Sequence, residues 1–498
     1  MYLYGLVIPV LSFFLQVWPR LINRYFGVDT WRHLMVADYV RENRHLPESM
    51  KSRYILPAPF GYPPVIVILL AIFPKKIAEK FQFVFSPLFD SFSNYFIFVS
   101  TLALTNDFKA AIIAQIIACL IPIVVIESSI LNPRTLSYLV FYLSFFPLLM
   151  YSYSGNLLFL LISAITLIIL LYTHKLAIQA YFFLVIVFSL VEKNPFYLFF
   201  FFTLILLVLF FGGKSYRVIL EDHLVTLDNF RKYYDFRLHQ FRRKEKQDNK
   251  SDFISKLYSI SFKNPAAYIL ANNPWIAILL ILYGLLITKL IVISNKIPSL
   301  MFNKLNIWIF ALVIAGLLIL SIKKLNFLGE GNRYIEYVTF PIAIILGNYG
   351  ANLLNLYGWK FVLLFAVFVL SLILGIIYLQ FKVIIQDKRR TITAPLWEVI
   401  DYLNTLKKGQ LRLFFSPTSL GDPVMYFVKG KALLTDCGKG VRKLRDVLPT
   451  VSIPMDEVIE KYKINYILID EAYVTLEELK LKHYKEIKRF EKYLLVKL

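Results

Sequence analysis

From Tyr2 to Phe381 the chain alternates charge-free apolar runs with polar links, and the runs lie near the ~20 residues a helix needs to cross a bilayer core. Tyr2–Trp18, Ala110–Ile126, Pro195–Gly213, Leu305–Ile322 and Phe361–Phe381 contain no Asp, Glu, Lys or Arg. Thr135–Thr173 has no ionisable group except tyrosines and is nearly twice the necessary length, so it must fold back, and "YSYSGN" (Tyr151–Asn156) supplies the turn. The pattern predicts eleven spans: 2–18, 87–104, 110–128, 135–151, 157–173, 176–191, 195–213, 275–294, 305–322, 335–353 and 360–381. With the N-terminus inside, an odd count puts the C-terminal segment outside. Tyr2–Trp18 lacks a basic flank and a small-residue cleavage site, so it reads as a retained helix and not a removable signal.

Three regions break the pattern. Tyr62–Pro74, "YPPVIVILLAIFP", is too short to cross, and its Pro-Pro start and following Lys75 and Lys76 suit a helix in the interface. Residues 19–86 then form one long external loop. Residues 214–273 hold the amphipathic "SYRVILEDHLVTLDNF" and the charge run "FRRKEKQDNK", and read as interfacial helices plus a solvated stretch. From Thr391 the period changes: helical "APLWEVIDYLNTL" precedes the strand-like "QLRLFFSP", "NYILID" and "EKYLLVKL". The fold class expected is a polytopic α-helical membrane protein of about 11 transmembrane helices, residues 1–390, with a C-terminal soluble α/β domain, residues 391–498.

Composition narrows the class. With 58% hydrophobic, 16% aromatic and 18% charged residues, the chain is too apolar for a soluble domain of 498 residues. The formal charge of +22, on a chain with this many spans, points to lipid phosphates and not to nucleic acid. Cys119 lies in a predicted span and Cys437 near the C-terminus, so no disulfide framework is expected. The dinucleotide and P-loop fingerprints and paired CxxC spacing are absent. Lys and Arg favour the predicted outer loops, against the positive-inside rule, although that rule weakens for loops near 60 residues.

The polar residues nearest span ends carry the candidate chemistry. They are "GVDTWRHLMVADYVRENRHLP" after the first span, "SPLFDSF" at the outer end of the second, and "GEGNRYIEYVTFPIAIILGNYG" (Gly329–Gly350) at the outer start of a late one. In this order, with a short "YPP" helix between the first two and an α/β segment at the end, they resemble the GT-C superfamily. These are integral-membrane glycosyltransferases that use polyprenyl-linked sugars, and they include oligosaccharyltransferase catalytic subunits and protein mannosyltransferases.

The resemblance implies an inverting sugar transfer with Asp29 as general base on the acceptor hydroxyl. Without it, Asp29 reads as the N-cap of a helix running from about Thr30 to Asn43, a role that is compatible with catalysis. Arg333 would hold the departing lipid phosphate, since a planar guanidinium can bind two phosphate oxygens; the alternative is an arginine snorkelling to the headgroups. Tyr337 would assist, and Glu336 would orient a basic group. His33, four residues beyond Asp29, would tune or orient the carboxylate. His174 either lines the cavity or marks a tight interfacial turn.

One departure from the oligosaccharyltransferases bears on cofactors. Where they carry a second acidic motif for a divalent metal, "ESSILNPRTLSYL" has Asn132, Pro133 and Arg134, and neither the loop glutamate motif nor the sequon-binding tail motif is present. No cofactor is firmly implied, a metal is disfavoured, and Arg134 becomes a second phosphate contact. The implied donor is a polyprenyl (dolichyl- or undecaprenyl-type) phosphate sugar, the acceptor a glycan, lipid or protein, and the active site extracytoplasmic in a cell membrane. A transporter or flippase of lipid-linked saccharides is the alternative; it would show internal repeats and mid-membrane charges. A scaffold, the third reading, would have no need of Asp29.

Overall fold

The computed structural model describes residues 2–233, 264–406, 411–435, 438–448, 451–481 and 483–498. The charge run 241–250 and Cys437 lie outside them. The chain divides into two compact units. One comprises the described residues of Met1–Arg24, Phe83–Phe211 and Ser251–Gln386; the other those of Tyr25–Gln82, Gly212–Lys250 and Asp387–Leu498.

The first unit is helical. Tyr2–Ile22, Pro133–Ser154, Ser299–Ser321 and Trp359–Ile385 are each long and apolar enough to cross a membrane. Two further pairs pass that test together but are bent: Phe108–Cys119 with Pro122–Ser128 by 66°, and Pro265–Asn272 with Pro274–Ile287 by 103°. Both breaks carry a proline, which cannot donate to the preceding turn. The expected 110–128 span is therefore bent, and the 275–294 span ends as helix at Ile287. Leu157–Leu171, Lys175–Val191 and Phe196–Phe211 are apolar but shorter. The predicted turn is present: Gly155 takes φ 70°, the left-handed conformation that glycine adopts without steric penalty, and Asn156 caps the next helix through Leu158 N at 2.9 Å. The core is aromatic, with Phe141, Tyr142, Phe145, Trp308 and Phe340 packed ring on ring. Close approach of small residues sets the helix spacing at one point: a Cβ on Gly331 would stand 2.3 Å from the carbonyl oxygen of Gly316.

The second unit holds a five-stranded sheet of order β2-β1-β3-β5-β4, with β1 Arg412–Ser416, β2 Lys431–Ala432, β3 Tyr466–Asp470, β4 Glu486–Phe490 and β5 Tyr493–Lys497. β1 runs parallel to β2 and β3, and β5 is antiparallel to β3 and β4. The three strands expected from the sequence are β1, β3 and β5. Their inward residues Phe414, Ile467, Ile469, Leu494 and Val496 bury against Val458 and Tyr462 of the Met455–Tyr462 helix. The first-loop residues 53–55 extend the sheet edge, through Ala432 N to Arg53 O and Ile55 N to Ala432 O, both 2.8 Å. The short helix expected in "YPPVIVILLAIFP" is present as Val65–Ile72, with Arg41 donating to the carbonyls of Leu70 and Phe73 at its C-terminal end.

Candidate active site

Two groups of predicted residues are described in turn, one in each unit. In the helical unit, Asn132 caps the Pro133–Ser154 helix, its side chain accepting from Arg134 N at 2.9 Å and Thr135 N at 3.3 Å. Arg134 thus lies in the first turn, where a helix favours an anion and disfavours a cation. Two carboxylates compensate it: Glu127 Oε1 lies 2.8 Å from Arg134 Nη1 and Glu336 Oε1 lies 3.3 Å from the same atom. The Glu336 side chain has no exposed surface, and its other oxygen accepts from the Tyr138 hydroxyl. Its backbone carbonyl accepts from Tyr142 Oη at 3.1 Å and Thr339 Oγ1 at 2.8 Å. Arg333, in the short Asn332–Glu336 helix, donates through Nε to Glu330 at 2.6 Å.

The structure therefore joins Arg134, Glu336 and Arg333 in one electrostatic group with Glu127, Glu330 and Tyr138. Glu336 bonds Arg134, 202 positions away, and not its neighbour Arg333. Tyr337 sits behind this group. Its hydroxyl is 2.9 Å from Ser137 Oγ, its ring 4.6 Å from that of Phe141, and it is fully buried. That position packs and braces Tyr138 and does not offer the hydroxyl to a ligand. His174 precedes the Lys175–Val191 helix, whose Gln179 accepts from the Tyr334 hydroxyl at 2.8 Å.

In the other unit, Asp29 stands in the first turn of the Val28–Asn43 helix and is exposed. The N-cap is Gly27, at φ 108°, and not Asp29 as expected. The helix begins two residues earlier because the segment before it is pinned: Gly27 N donates to Arg390 O at 2.7 Å, and Phe26 bridges to Thr391 under the Arg390 guanidinium. The Asp29 side chain stands at the positive end of the helix dipole. One turn on, Arg32 lies 5.1 Å over the Tyr62 ring, and the His33 ring is 5.3 Å from the same tyrosine. His33 is buried, and its Nε2 has no hydrogen-bond partner among the described residues. Burial, reinforced by Arg32 and opposed by Asp29, pushes the imidazole down to about 4. His33 is therefore a neutral neighbour of Asp29 at physiological pH. Burial works against the Arg32 charge, but Tyr54, Asp422, Tyr62 and Asp29 together hold its pKa above the ordinary arginine value. Asp422, from the C-terminal segment, accepts from the Tyr54 hydroxyl at 2.8 Å.

The residues do not suit a divalent metal. A guanidinium fills the space between Glu127 and Glu336, and among the described residues no three His, Cys, Asp or Glu side chains converge in a metal-holding arrangement. Glu127, Glu330, Tyr138, Arg32, Tyr62 and Asp422 are partners that the sequence alone does not single out. Only Glu330 had a local signal, the three-residue spacing to Arg333 on a helix start. Glu127 lies seven residues before Arg134 across a helix break, and Tyr138 with Glu336 and Tyr54 with Asp422 join distant parts of the chain.

No protein-family model matches the chain, and no curated protein matches its sequence. Solved structures do match its fold. ArnT from Cupriavidus metallidurans in the apo state superposes with a TM-score of 0.61 at 12% identity, over 99% of this chain and 97% of that one. The same enzyme bound to undecaprenyl phosphate gives 0.56 at 11% identity, over the same shares of the two chains. The Archaeoglobus fulgidus oligosaccharyltransferase, in complex with Zn and sulfate, gives 0.55 at 12% identity over 96% of this chain and 71% of that one. The chain therefore shares its fold with ArnT and with the archaeal oligosaccharyltransferase.

Proposed function

We propose that this protein is an inverting, metal-independent glycosyltransferase that moves a sugar from a polyprenyl phosphate to a glycan, lipid or protein acceptor. The acceptor oxygen attacks the anomeric carbon as the bond from that carbon to the phosphate oxygen breaks. The acceptor proton passes to the Asp29 carboxylate, and the polyprenyl phosphate departs with the bonding electron pair. Arg134 and Arg333 take up the charge that develops on the leaving phosphate, and electrostatic stabilisation of this kind is usually the largest single contribution to such a step. Glu336 positions Arg134, Tyr337 packs against Tyr138 behind it, His33 stands buried and neutral beside Asp29, and His174 stands at the N-cap of the Lys175–Val191 helix.

The observation that carries this reading is the buried Arg134, held by Glu127 and Glu336 at the start of the Pro133–Ser154 helix, with Arg333 three residues before Glu336. A guanidinium in the first turn of a helix offers a phosphate both its own charge and the helix N-terminus. The proposed topology has eleven spans, a transmembrane domain over 1–390, an α/β domain over 391–498, and the active site on the extracytoplasmic side of a cell membrane. The fold shared with ArnT, whose structure holds undecaprenyl phosphate, supports the donor class.

Membranes containing the wild type or Asp29→Asn, incubated with labelled polyprenyl-phosphate sugars, test the reaction. Transfer is expected only with the wild type, and equal transfer by both overturns the mechanism.

A further inference from the structure

Inside the helical unit lies a small cavity lined by oxygen-bearing side chains of three helices: Asp90, Ser93 and Asn94 of Gln82–Thr105, Tyr138 and Tyr142 of Pro133–Ser154, and Thr339 of Thr339–Tyr357. It has room for one body the size of a water molecule. Asp90 is buried; Gln16 Nε2 donates to its Oδ2 at 2.5 Å, and Ser12 supports it. Among the described residues no cation pairs with it. A carboxylate withdrawn into an apolar helix bundle needs a counter-charge or a proton.

The other oxygens have their hydrogens committed elsewhere. Ser93 Oγ donates to Phe89 O at 3.1 Å, Tyr142 Oη and Thr339 Oγ1 donate to Glu336 O at 3.1 and 2.8 Å, and the Tyr138 hydroxyl donates to the Glu336 side chain. Asn94 Nδ2 donates to Gln115 O at 3.2 Å, which leaves Oδ1 as the other end of its amide. Asn94 is 2% exposed, and among the described residues this Oδ1 has no hydrogen-bond partner. The cavity therefore offers a carboxylate and acceptor lone pairs in excess of donors. A proton on Asp90 would satisfy one oxygen, whereas a metal cation draws on all of them at once.

We propose that this cavity binds one monovalent metal cation, sodium by size, with Asp90 as its counter-charge and Asn94 Oδ1, Ser93 Oγ, Tyr142 Oη and Thr339 Oγ1 as its neutral oxygen ligands. Hard oxygens suit an alkali cation, and a single carboxylate balances a single charge; a divalent ion would leave one charge uncompensated in the apolar bundle. The small volume favours sodium over the larger potassium. The ion balances charge inside the bundle and ties the Gln82–Thr105 helix to the two helices that hold the Glu336 carbonyl; it takes no part in the transfer step, and the inference does not depend on it.

The test melts the full-length protein in detergent in sodium, potassium and choline chloride at equal ionic strength, and measures uptake of radiolabelled sodium. Saturating sodium is expected to raise the wild-type midpoint by about 2–3 °C over choline, with potassium giving less, because a ligand of the folded state alone stabilises it. Sodium uptake should saturate at one ion per chain, be lost in Asp90→Asn and weaken about tenfold in Asn94→Leu. Equal midpoints in the three salts overturn the proposal and leave the cavity to a water molecule; this comparison needs no variant to fold. Equal increments from sodium and potassium also overturn it, as does saturable sodium uptake that persists in Asp90→Asn.

Discussion

Arg134 Nη1 stands 3.3 Å from Oε1 of Glu336, a carboxylate 202 positions away whose side chain is wholly withdrawn from solvent. The pair joins the start of one buried helix to the link before another and brings Arg333 into the same group. A buried ion pair is costly to break from one side, because the partner left behind is an uncompensated charge.

Glu336→Ala is accordingly expected to destabilise the protein by about 3–5 kcal/mol, while Tyr138→Phe, which removes one hydrogen bond to the same carboxylate, costs about 1 kcal/mol. Thermal unfolding in detergent compares them. Equal midpoints for the two variants would show that Glu336 is not holding a charge.

Asp29 is exposed and only lends its charge to the first turn of its helix. Asp29→Asn should therefore lower stability by no more than about 1 kcal/mol. Transfer should fall by about 10²–10⁴-fold in kcat, as expected for loss of a general base. Turnover and melting measured on the same preparation separate the two effects, and a loss of activity that tracks a loss of fold would count against the base role.

His33 is held down to about 4 by burial, below the ordinary histidine value of 6.5. Between those values the unfolded chain binds the proton that the folded one refuses, so the contribution of this group is full above about pH 6.5 and is lost as the pH falls toward 4. The loss amounts to roughly 3 kcal/mol. His33→Gln should flatten the fall in stability between pH 7 and 4, and urea unfolding at a series of pH values reads it directly.

At the other end of the Lys175–Val191 helix from His174, Lys304 pairs with Glu192 and lies 3.0 Å from Tyr197 Oη. The Lys304 side chain is 3% exposed. Lys304→Met or Glu192→Gln alone should cost about 3 kcal/mol and the double variant distinctly less, the sign of coupling between contacting residues. A double-mutant cycle on melting midpoints measures it, and strict additivity would mean that the pair is not interacting.

Gly331 meets the backbone of Gly316 so closely that an added Cβ has no room. Gly331→Ala must shift the Asn332–Glu336 helix that carries Arg333. The expected result is weakened lipid-phosphate binding by about tenfold with the membrane helices intact, checked by binding and circular dichroism together.

The apolar periodicity, the turn at Gly155 and Asn156, the short helix after "YPP" and strands β1, β3 and β5 were legible in the chain because each is decided by local chemistry: hydrophobic run length, capping, glycine and proline. So were Asp29, Arg333 and Arg134 as polar groups at element starts. The bends after Cys119 and Asn272, the Gly27 cap fixed by Arg390, the placement of Glu336 on Arg134 and not on Arg333, and the burial of Tyr337 and His33 were decided only in three dimensions. Each depends on a neighbour that reaches the residue through packing, often across hundreds of positions. A single sequence carries no period or spacing that reports how two distant charges are paired, because pairing is settled by which side chains the folded backbone brings within a few ångströms in a medium too apolar to leave a charge alone.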